Sequence, residues 1–192
     1  MSKNGTALVA ALAIALTGAA QAADRITPPA VPDNLVADGK PILRGHAVGT
    51  QNYICVAAAT PTGGDWFFIG PQATVFDENG QQIVTHFLST NPENNALQAT
   101  WQHSRDSSVV WATKLRGSTD ANYVAPGAIE WLLLDVTGAQ VGPSGGVKVS
   151  TANQIQRVNT VGGVKPPASE CTSATLTNRR YVPYEADYYF YQ

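Results

Sequence analysis

Apolar and polar residues alternate along much of the chain after residue 42, with the period of two that is typical of β-strands. In residues 109–116, one face is apolar and the other ends in two cations, as in a strand that is buried on one side. Residues 129–136 are apolar on both faces except for Glu130 and Asp135, which predicts a central strand. No stretch shows a sustained helical period, so we predict an all-β protein.

Turn-forming residues separate these alternating runs. Asp77-Glu78-Asn79-Gly80 predicts a hairpin, in which Asn79-Gly80 is suited to the positive φ angles of a type I′ turn. Residues 104–108 predict a second hairpin. Several short strands joined by tight turns favour a single antiparallel β-sandwich, and the alternative is a closed or partly open β-barrel.

The first 41 residues differ in composition from the rest. Residues 1–22 resemble a signal peptide, with Lys3, a short apolar run and the A-x-A cleavage pattern Ala20-Gln21-Ala22. We therefore expect an exported protein, in the periplasm or outside the cell. Residues 23–41 are rich in proline and predict an extended arm, and residues 42–192 predict a single β domain.

The chain contains two cysteines, Cys55 and Cys171, 116 positions apart. In an exported protein, both would reach an oxidising compartment together, which predicts one disulfide. Closing so long a loop would stabilise the fold by about 4–5 kcal/mol in the loop-entropy model.

Charge and hydropathy exclude two classes of partner. The net charge is −2, from 14 acidic and 12 basic residues, and nucleic-acid binding needs basic clusters that this chain lacks. After the signal segment, no apolar run approaches the roughly 20 residues that cross a bilayer. We therefore expect neither a nucleic-acid partner nor a membrane span.

Four segments together resemble one known family. They are GTQNYIC at 49–55, PQATVFD at 71–77, QRVNTVGG at 156–163 followed by Pro166, and VPYEADYYF at 182–190. These segments resemble domain-of-unknown-function family 3455, which occurs in secreted bacterial and fungal proteins. The resemblance spans about Gly45 to Tyr191 and implies a stand-alone secreted domain, but it implies no reaction. One difference is Asp106-Ser107-Ser108, where the family tends to have Asp-Gly-Ser.

The histidines could carry chemistry only if the fold brought them together. His86 and His103 lie on neighbouring predicted strands with Asp106 nearby, and such a set can bind zinc or copper. Their spacing matches no metal signature, so we assign no metal and no cofactor. No G-x-G-x-x-G segment is present. Residues Gly142–Gly146 have the G-x-S-x-G spacing but lie in a predicted loop and not in the strand–turn–helix elbow that this motif requires, so no catalytic residues are assigned.

The aromatic residues divide into core and candidate contact positions. Trp111 and Trp131 fit core positions by alternation, whereas Trp66 and Trp101 fit either the edge of the core or an exposed platform. The last predicted strand places Tyr188, Tyr189 and Tyr191 on both of its faces, so we expect some of these phenolic groups at the surface. If Glu130 or Asp135 is buried, Arg157 is a candidate partner.

These observations favour a binding protein over an enzyme. We expect a non-catalytic module that binds an envelope component, a polysaccharide or another protein. A secreted hydrolase acting on cell-surface material and a structural coat or matrix protein are the alternatives. The candidate binding residues lie around two consecutive hairpins: Trp66, His86, Trp101, His103 and Asp106.

Overall fold

Eight antiparallel strands form one continuous sheet in a computed structural model, which describes residues 25–192. The strands are β1 (Pro41–Ala57), β2 (Gly64–Phe76), β3 (Gln82–Thr90), β4 (Leu97–His103), β5 (Val109–Ser118), β6 (Trp131–Gln140), β7 (Gln154–Gly162) and β8 (Arg179–Tyr191). Each strand pairs with the next one along the chain, and β8 returns to pair with β1. The predicted signal segment lies outside the described residues. Among those described, no helix is long and apolar enough to span a membrane.

The prediction of an all-β fold is confirmed, but the predicted sandwich is wrong and the barrel alternative is confirmed. The deciding contact is between β1 and β8, which pair from Pro41↔Tyr191 to Ile54↔Arg179. A sandwich leaves unpaired edges on each of two sheets, whereas this pairing closes a single sheet on itself. Local alternation is the same in both architectures, so it could not distinguish them.

The barrel interior is filled mainly by apolar and aromatic side chains. In β8 the even-numbered residues Tyr184, Ala186, Tyr188 and Phe190 all belong to this core. Trp101 of β4 is the largest fully buried side chain there. The outward face of β8 follows the same alternation, since its odd-numbered tyrosines Tyr189 and Tyr191 belong to a second cluster.

This second cluster lies on the outside of the barrel, beneath the N-terminal arm. A short 3-10 helix, Asp33–Leu35, packs Leu35 into it, and the Leu35 carbonyl accepts a hydrogen bond from Gln156. The arm therefore covers Tyr189 and Tyr191, while Tyr188 is buried inside the barrel. The expectation that some of these three phenolic groups reach the surface is wrong because the arm buries the face that would otherwise be exposed.

The hairpin between β2 and β3 forms as expected, but with a different turn. Of its central residues only Gly80 has a positive φ, 72°, so the turn is not type I′. The Asp77 side chain accepts hydrogen bonds from the backbone N–H groups of Asn79 and Gln81. These bonds hold Asn79 in the ordinary region of φ and leave the glycine to complete the turn.

One end of the barrel, which we call the closed end, is covered by residues 141–153 between β6 and β7. Val149 and Ala152 of this segment insert into the interior core. Backbone N–H groups of Lys148 and Val149 bond to Asp106 and Ser108 of the β4–β5 turn. The opposite end, which we call the open end, is bordered by the longer loops that follow β1, β3, β5 and β7.

A third cluster contains the predicted disulfide, which is confirmed. Cys55 of β1 and Cys171 are joined by an S–S bond of 1.98 Å. They pack with Trp66 of β2. The bridge ties the long segment between β7 and β8 to the sheet at the open end.

Candidate functional site

A cavity of about 290 Å³ lies in the barrel interior towards the open end. Its polar lining comes from eight residues on β1, β3, β4, β5, β7 and β8: Gln51, His86, Gln98, Trp101, Thr113, Lys114, Arg157 and Tyr188. The rest of the wall is mostly apolar, with leucines from β3, β4 and β6. An apolar pocket with a few inward polar groups is the usual form of a small-molecule site.

The cavity reaches the surface where neighbouring strands separate. Pairing between β4 and β5 reaches Ala99↔Ala112 and stops, so the parts of both strands beyond this pair diverge towards the open end. Leu97 lines the cavity just past this point and is 66% exposed. Phe68 of β2 also lines the cavity and is 42% exposed. The entrance is therefore apolar.

His86 and Trp101 form one wall of the cavity. They face each other across β3 and β4, and their rings stack with centroids 4.1 Å apart and planes 12° from parallel. The ring of Tyr188 meets both edge-on, at centroid distances of 5.2 and 5.5 Å. The alternation of the strands produces this group, since all three residues lie on inward positions.

His86 is held in its neutral form. Burial lowers its pKa to about 3; a hydrogen bond to the Thr100 carbonyl opposes this shift, and the charge of Arg157 adds to it. Since a carbonyl oxygen only accepts, Nδ1 must donate in the 2.9 Å bond to Thr100. Nε2 then carries the lone pair, so His86 presents an acceptor and no charge.

Arg157 supplies a positive charge to the same cavity. It lies on β7 between Leu132 of β6 and Tyr188 of β8, in the row of inward positions. Its Nη2 donates to the main-chain carbonyl of Glu130 at 3.0 Å. The Glu130 carboxylate is instead bound by Lys114 at 2.7 Å, and Asp135 is exposed. Neither carboxylate is buried, so the condition under which Arg157 would be the partner of Glu130 or Asp135 is not met.

Three buried N–H groups around the cavity have no hydrogen-bond partner among residues 25–192. They are Nε2 of Gln51, Nε1 of Trp101 and Nε of Arg157. Gln51 is 3% exposed and Trp101 1%, so bulk water does not solvate them. A buried donor left unpaired costs about 1–3 kcal/mol. A hydrogen-bond acceptor that enters the cavity could satisfy all three donors.

His103 and Asp106 lie at the closed end and do not line the cavity. His103 pairs with Val84, two residues nearer the β4–β5 turn than the Trp101–His86 pair. Its Nδ1 is 2.9 Å from Asp106 Oδ1. Asp106 also accepts bonds from the N–H groups of Ser108 and Lys148. These two residues hold the covering segment in place.

The same contacts determine the charge state of Asp106. Burial alone would raise the pKa of this carboxyl group. The backbone N–H groups of Lys148 and Ser108, the Ser108 hydroxyl and the charge of His103 together lower the pKa well below its usual range. Asp106 is therefore a carboxylate at any physiological pH, which suits an anchor for backbone donors and does not suit a proton-transfer group.

Trp66 lies apart from the other candidates, beside the disulfide. Its indole Nε1 donates to the Pro167 carbonyl at 3.1 Å, and it is buried. Trp101 is buried as well, so neither forms an exposed platform. Of the five residues singled out by sequence, the structure brings His86 and Trp101 together at the cavity and His103 and Asp106 together at the closed end, and it leaves Trp66 apart from both pairs.

The structure gives no metal centre among residues 25–192, since no three His, Cys, Asp or Glu side chains converge there. The third histidine, His46, lies on the outer surface, where its Nδ1 is 2.9 Å from Asp187 Oδ1. This pair shares no residue with the cavity lining.

Sequence reasoning did not identify Gln51, Arg157 and Tyr188 as members of a site. For Arg157 a signal was present, because it occupies the same face as Ile155 in a strand whose inward face is otherwise apolar. An arginine on an apolar face needs a partner. For Gln51 and Tyr188, no local pattern indicates a cavity, since both are ordinary residues of alternating strands.

Comparison with known proteins identifies the family of the chain but no individual relative. The model of the family described as "Protein of unknown function (DUF3455)" matches residues 36–192. The chain belongs to this family. No curated protein and no solved structure matches the chain significantly. In this DUF3455 domain, three segments that carry the resemblance also supply the cavity residues Gln51, Arg157 and Tyr188.

Proposed function

We propose that this protein is a non-catalytic binding module that holds a small ligand inside its β-barrel. The observation that carries this proposal is the cavity with three buried, unpaired N–H donors among the described residues. A packed core would normally leave none, and a ligand with hydrogen-bond acceptors would satisfy them. The disulfide supports action outside the cytoplasm, in the periplasm or beyond the cell, so the ligand is expected among envelope or extracellular components.

The chemistry of the lining favours binding over hydrolysis. No Asp or Glu lines the cavity in the part of the chain that the structure describes. A pKa of about 3 makes His86 a weak base, whereas an efficient general base titrates near the working pH. Asp106, the other acidic candidate, is fully engaged by donors at the closed end.

The architecture also weighs against an exposed polysaccharide platform and against a coat protein. Polysaccharide binding on an exposed tryptophan surface would need Trp66 or Trp101 at the surface, and both are buried. Assembly into a coat through strand edges would need unpaired edges. Pairing of β1 with β8 removes these from the barrel. We therefore propose that binding takes place inside the cavity and involves a small chemical group.

Titration of the ¹⁵N-labelled protein with octanoate and with its neutral isostere octanamide tests the proposal. Each has a volume on the order of ten water molecules, close to that of the cavity. The indole N–H signal of Trp101 is the readout, because this donor has no partner among the described residues. The indole of Trp66 is the internal control, because it is already bonded to Pro167. We expect Trp101 to shift and Trp66 to stay.

A blocking variant adds a second criterion. Ala99→Phe introduces a ring into the cavity wall, and Ala139→Phe adds the same ring at an exposed position of β6. Binding should be lost in Ala99→Phe and kept in Ala139→Phe, with both folded by circular dichroism. If the wild-type Trp101 signal responds to neither probe, or if the Trp66 signal moves equally, the proposed function is wrong.

A further inference from the structure

From the same cavity, and resting on the function proposed for it, we infer that the ligand is an amphiphile whose carboxylate is bound by Arg157, Gln51 and Trp101 and whose apolar body lies against the leucine-lined wall. The class is a small monocarboxylic acid with an aliphatic or aromatic body.

The first step of the argument is charge. Arg157 has no carboxylate within ion-pair distance among residues 25–192, where ion pairs to arginine or lysine involve Lys114, Lys165 and Arg180. Lys114 also lines the cavity, but both oxygens of Glu130 are 2.7 Å from its ammonium group. Among the described residues, the lining thus contains one uncompensated cation in a chain with a net charge of −2. A partly buried charge is costly until an anion pairs with it.

The second step is the balance of donors and acceptors. Three N–H groups of the lining are buried and unpaired within residues 25–192, and His86 Nε2 offers one lone pair. Donors in excess favour a ligand head that accepts several hydrogen bonds, as an ionised carboxylate does with its two oxygens. A neutral alcohol or amide offers fewer lone pairs and no charge. The planar guanidinium of arginine is well suited to a carboxylate because it presents donors in a fixed geometry.

The third step is the apolar remainder. Beyond the polar group, the wall is formed by Leu88, Leu132 and Leu134. Phe68 and Leu97 are exposed at the entrance, where an apolar tail would cover them. Burial of such a tail removes apolar surface of both the ligand and the entrance from water, which favours binding. At about 290 Å³ the cavity has room for on the order of ten non-hydrogen atoms. A bare phosphate would leave the leucine-lined wall without a contact, and a long polysaccharide chain would not fit inside the cavity.

The test compares octanoate with octanamide by isothermal titration calorimetry on the wild type and on Arg157→Gln. We expect the wild type to bind octanoate at least tenfold more tightly than octanamide. In Arg157→Gln this preference should fall to within twofold, because octanoate affinity should fall much more than octanamide affinity. Arg157→Lys should restore part of the preference because it keeps the charge. Arg180→Gln, which removes an exposed arginine paired with Glu170, is the matched control and should leave both affinities unchanged.

The outcomes separate this inference from the proposed function. Equal binding of the two probes by the wild type, or a preference that survives in Arg157→Gln, would overturn the carboxylate assignment and leave a binding cavity. Binding of neither probe would overturn both. If Arg157→Gln does not fold, the Nε–H signal of Arg157 in the wild type decides: it should shift downfield with octanoate and not with octanamide, and equal shifts would refute the inference.

Discussion

The two ends of the barrel differ in whether their buried polar groups have hydrogen-bond partners. At each end an aromatic nitrogen base lies on an inward position, His103 at the closed end and His86 towards the open end. His103 meets the carboxylate of Asp106, whose oxygens also bind backbone donors. His86 meets a ring and a carbonyl, and donors around it lack partners among the described residues. The pair at the closed end is satisfied within the fold, whereas three donors around the cavity lack partners among the described residues.

This difference explains why the cavity lies towards the open end of the barrel. Residues 141–153 fill the closed end with Val149 and Ala152. At the open end, the disulfide holds the loop between β7 and β8 against Tyr53, Trp66 and Val182, in a cluster separate from the interior core. The interior near that end is therefore left with unfilled space.

The largest expected effect comes from the disulfide. Replacement of both Cys55 and Cys171 by alanine should lower the free energy of unfolding by about 4–5 kcal/mol, because the unfolded chain regains the freedom of a long loop. Urea denaturation measures this loss. Hydrogen exchange should show the lost protection concentrated at the open end, in residues 163–178, with the closed end less affected. A loss below about 1 kcal/mol, or uniform loss of protection, would contradict the distinction between the ends.

At the closed end, replacement of the single residue Asp106 should lower the stability nearly as much as removal of the disulfide. Asp106→Ala removes the acceptor of bonds from Ser108, Lys148 and His103, and we expect a loss of about 3 kcal/mol in unfolding free energy. Asp77→Ala is the matched control, because Asp77 also accepts backbone bonds in a turn at this end but is not covered by another described segment. It should cost about 1 kcal/mol. Equal losses would show that residues 141–153 are not held by Asp106.

The open end should be the more sensitive to acid. The folded pKa of His86, about 3, lies below its unfolded value. Between those values the unfolded chain binds a proton that the folded chain does not, so stability falls as pH decreases from about 6.5. The slope is at most about 1.4 kcal/mol per pH unit. His86→Phe keeps a ring against Trp101 and should flatten the stability profile between about pH 6.5 and 4.5.

The acid response of Asp106 does not overlap that of His86. Asp106 has a folded pKa below its ordinary value, so its stabilisation is present above the unfolded pKa and is lost only in stronger acid, beneath the tested window. Urea denaturation at each pH supplies the data, and identical slopes for wild type and His86→Phe would refute the assignment.

The smallest expected effect lies in the turn that differs from the family pattern. Ser107 has φ of 58°, a conformation in which a side chain is disfavoured and glycine is not. Ser107→Gly should therefore raise the unfolding free energy by about 0.5 kcal/mol. Ser104→Gly, in the same turn but without a positive φ, should lower it by a similar amount because it adds only freedom to the unfolded chain. Thermal denaturation of both variants checks the opposite signs.

The sequence by itself determined the strand character, the disulfide and the family. Alternation indicates strands because side chains of a pleated strand point to opposite faces whatever lies beyond them. Two cysteines leave one intramolecular pairing, Cys55–Cys171. The resemblance over Gly45 to Tyr191 was carried by long segments, and the match to DUF3455 over residues 36–192 confirms it.

Only the tertiary structure decided between sandwich and barrel and located the cavity. Closure depends on pairing of β1 with β8, whose residues are more than 100 positions apart, and no local pattern encodes that contact. The covering of Tyr189 by the arm and the placement of His103 at the closed end depend on it in the same way. The cavity is lined by residues from strands along the whole chain. Its unpaired donors are a property of that assembly, because the sequence shows which groups can donate but not which are left without a partner.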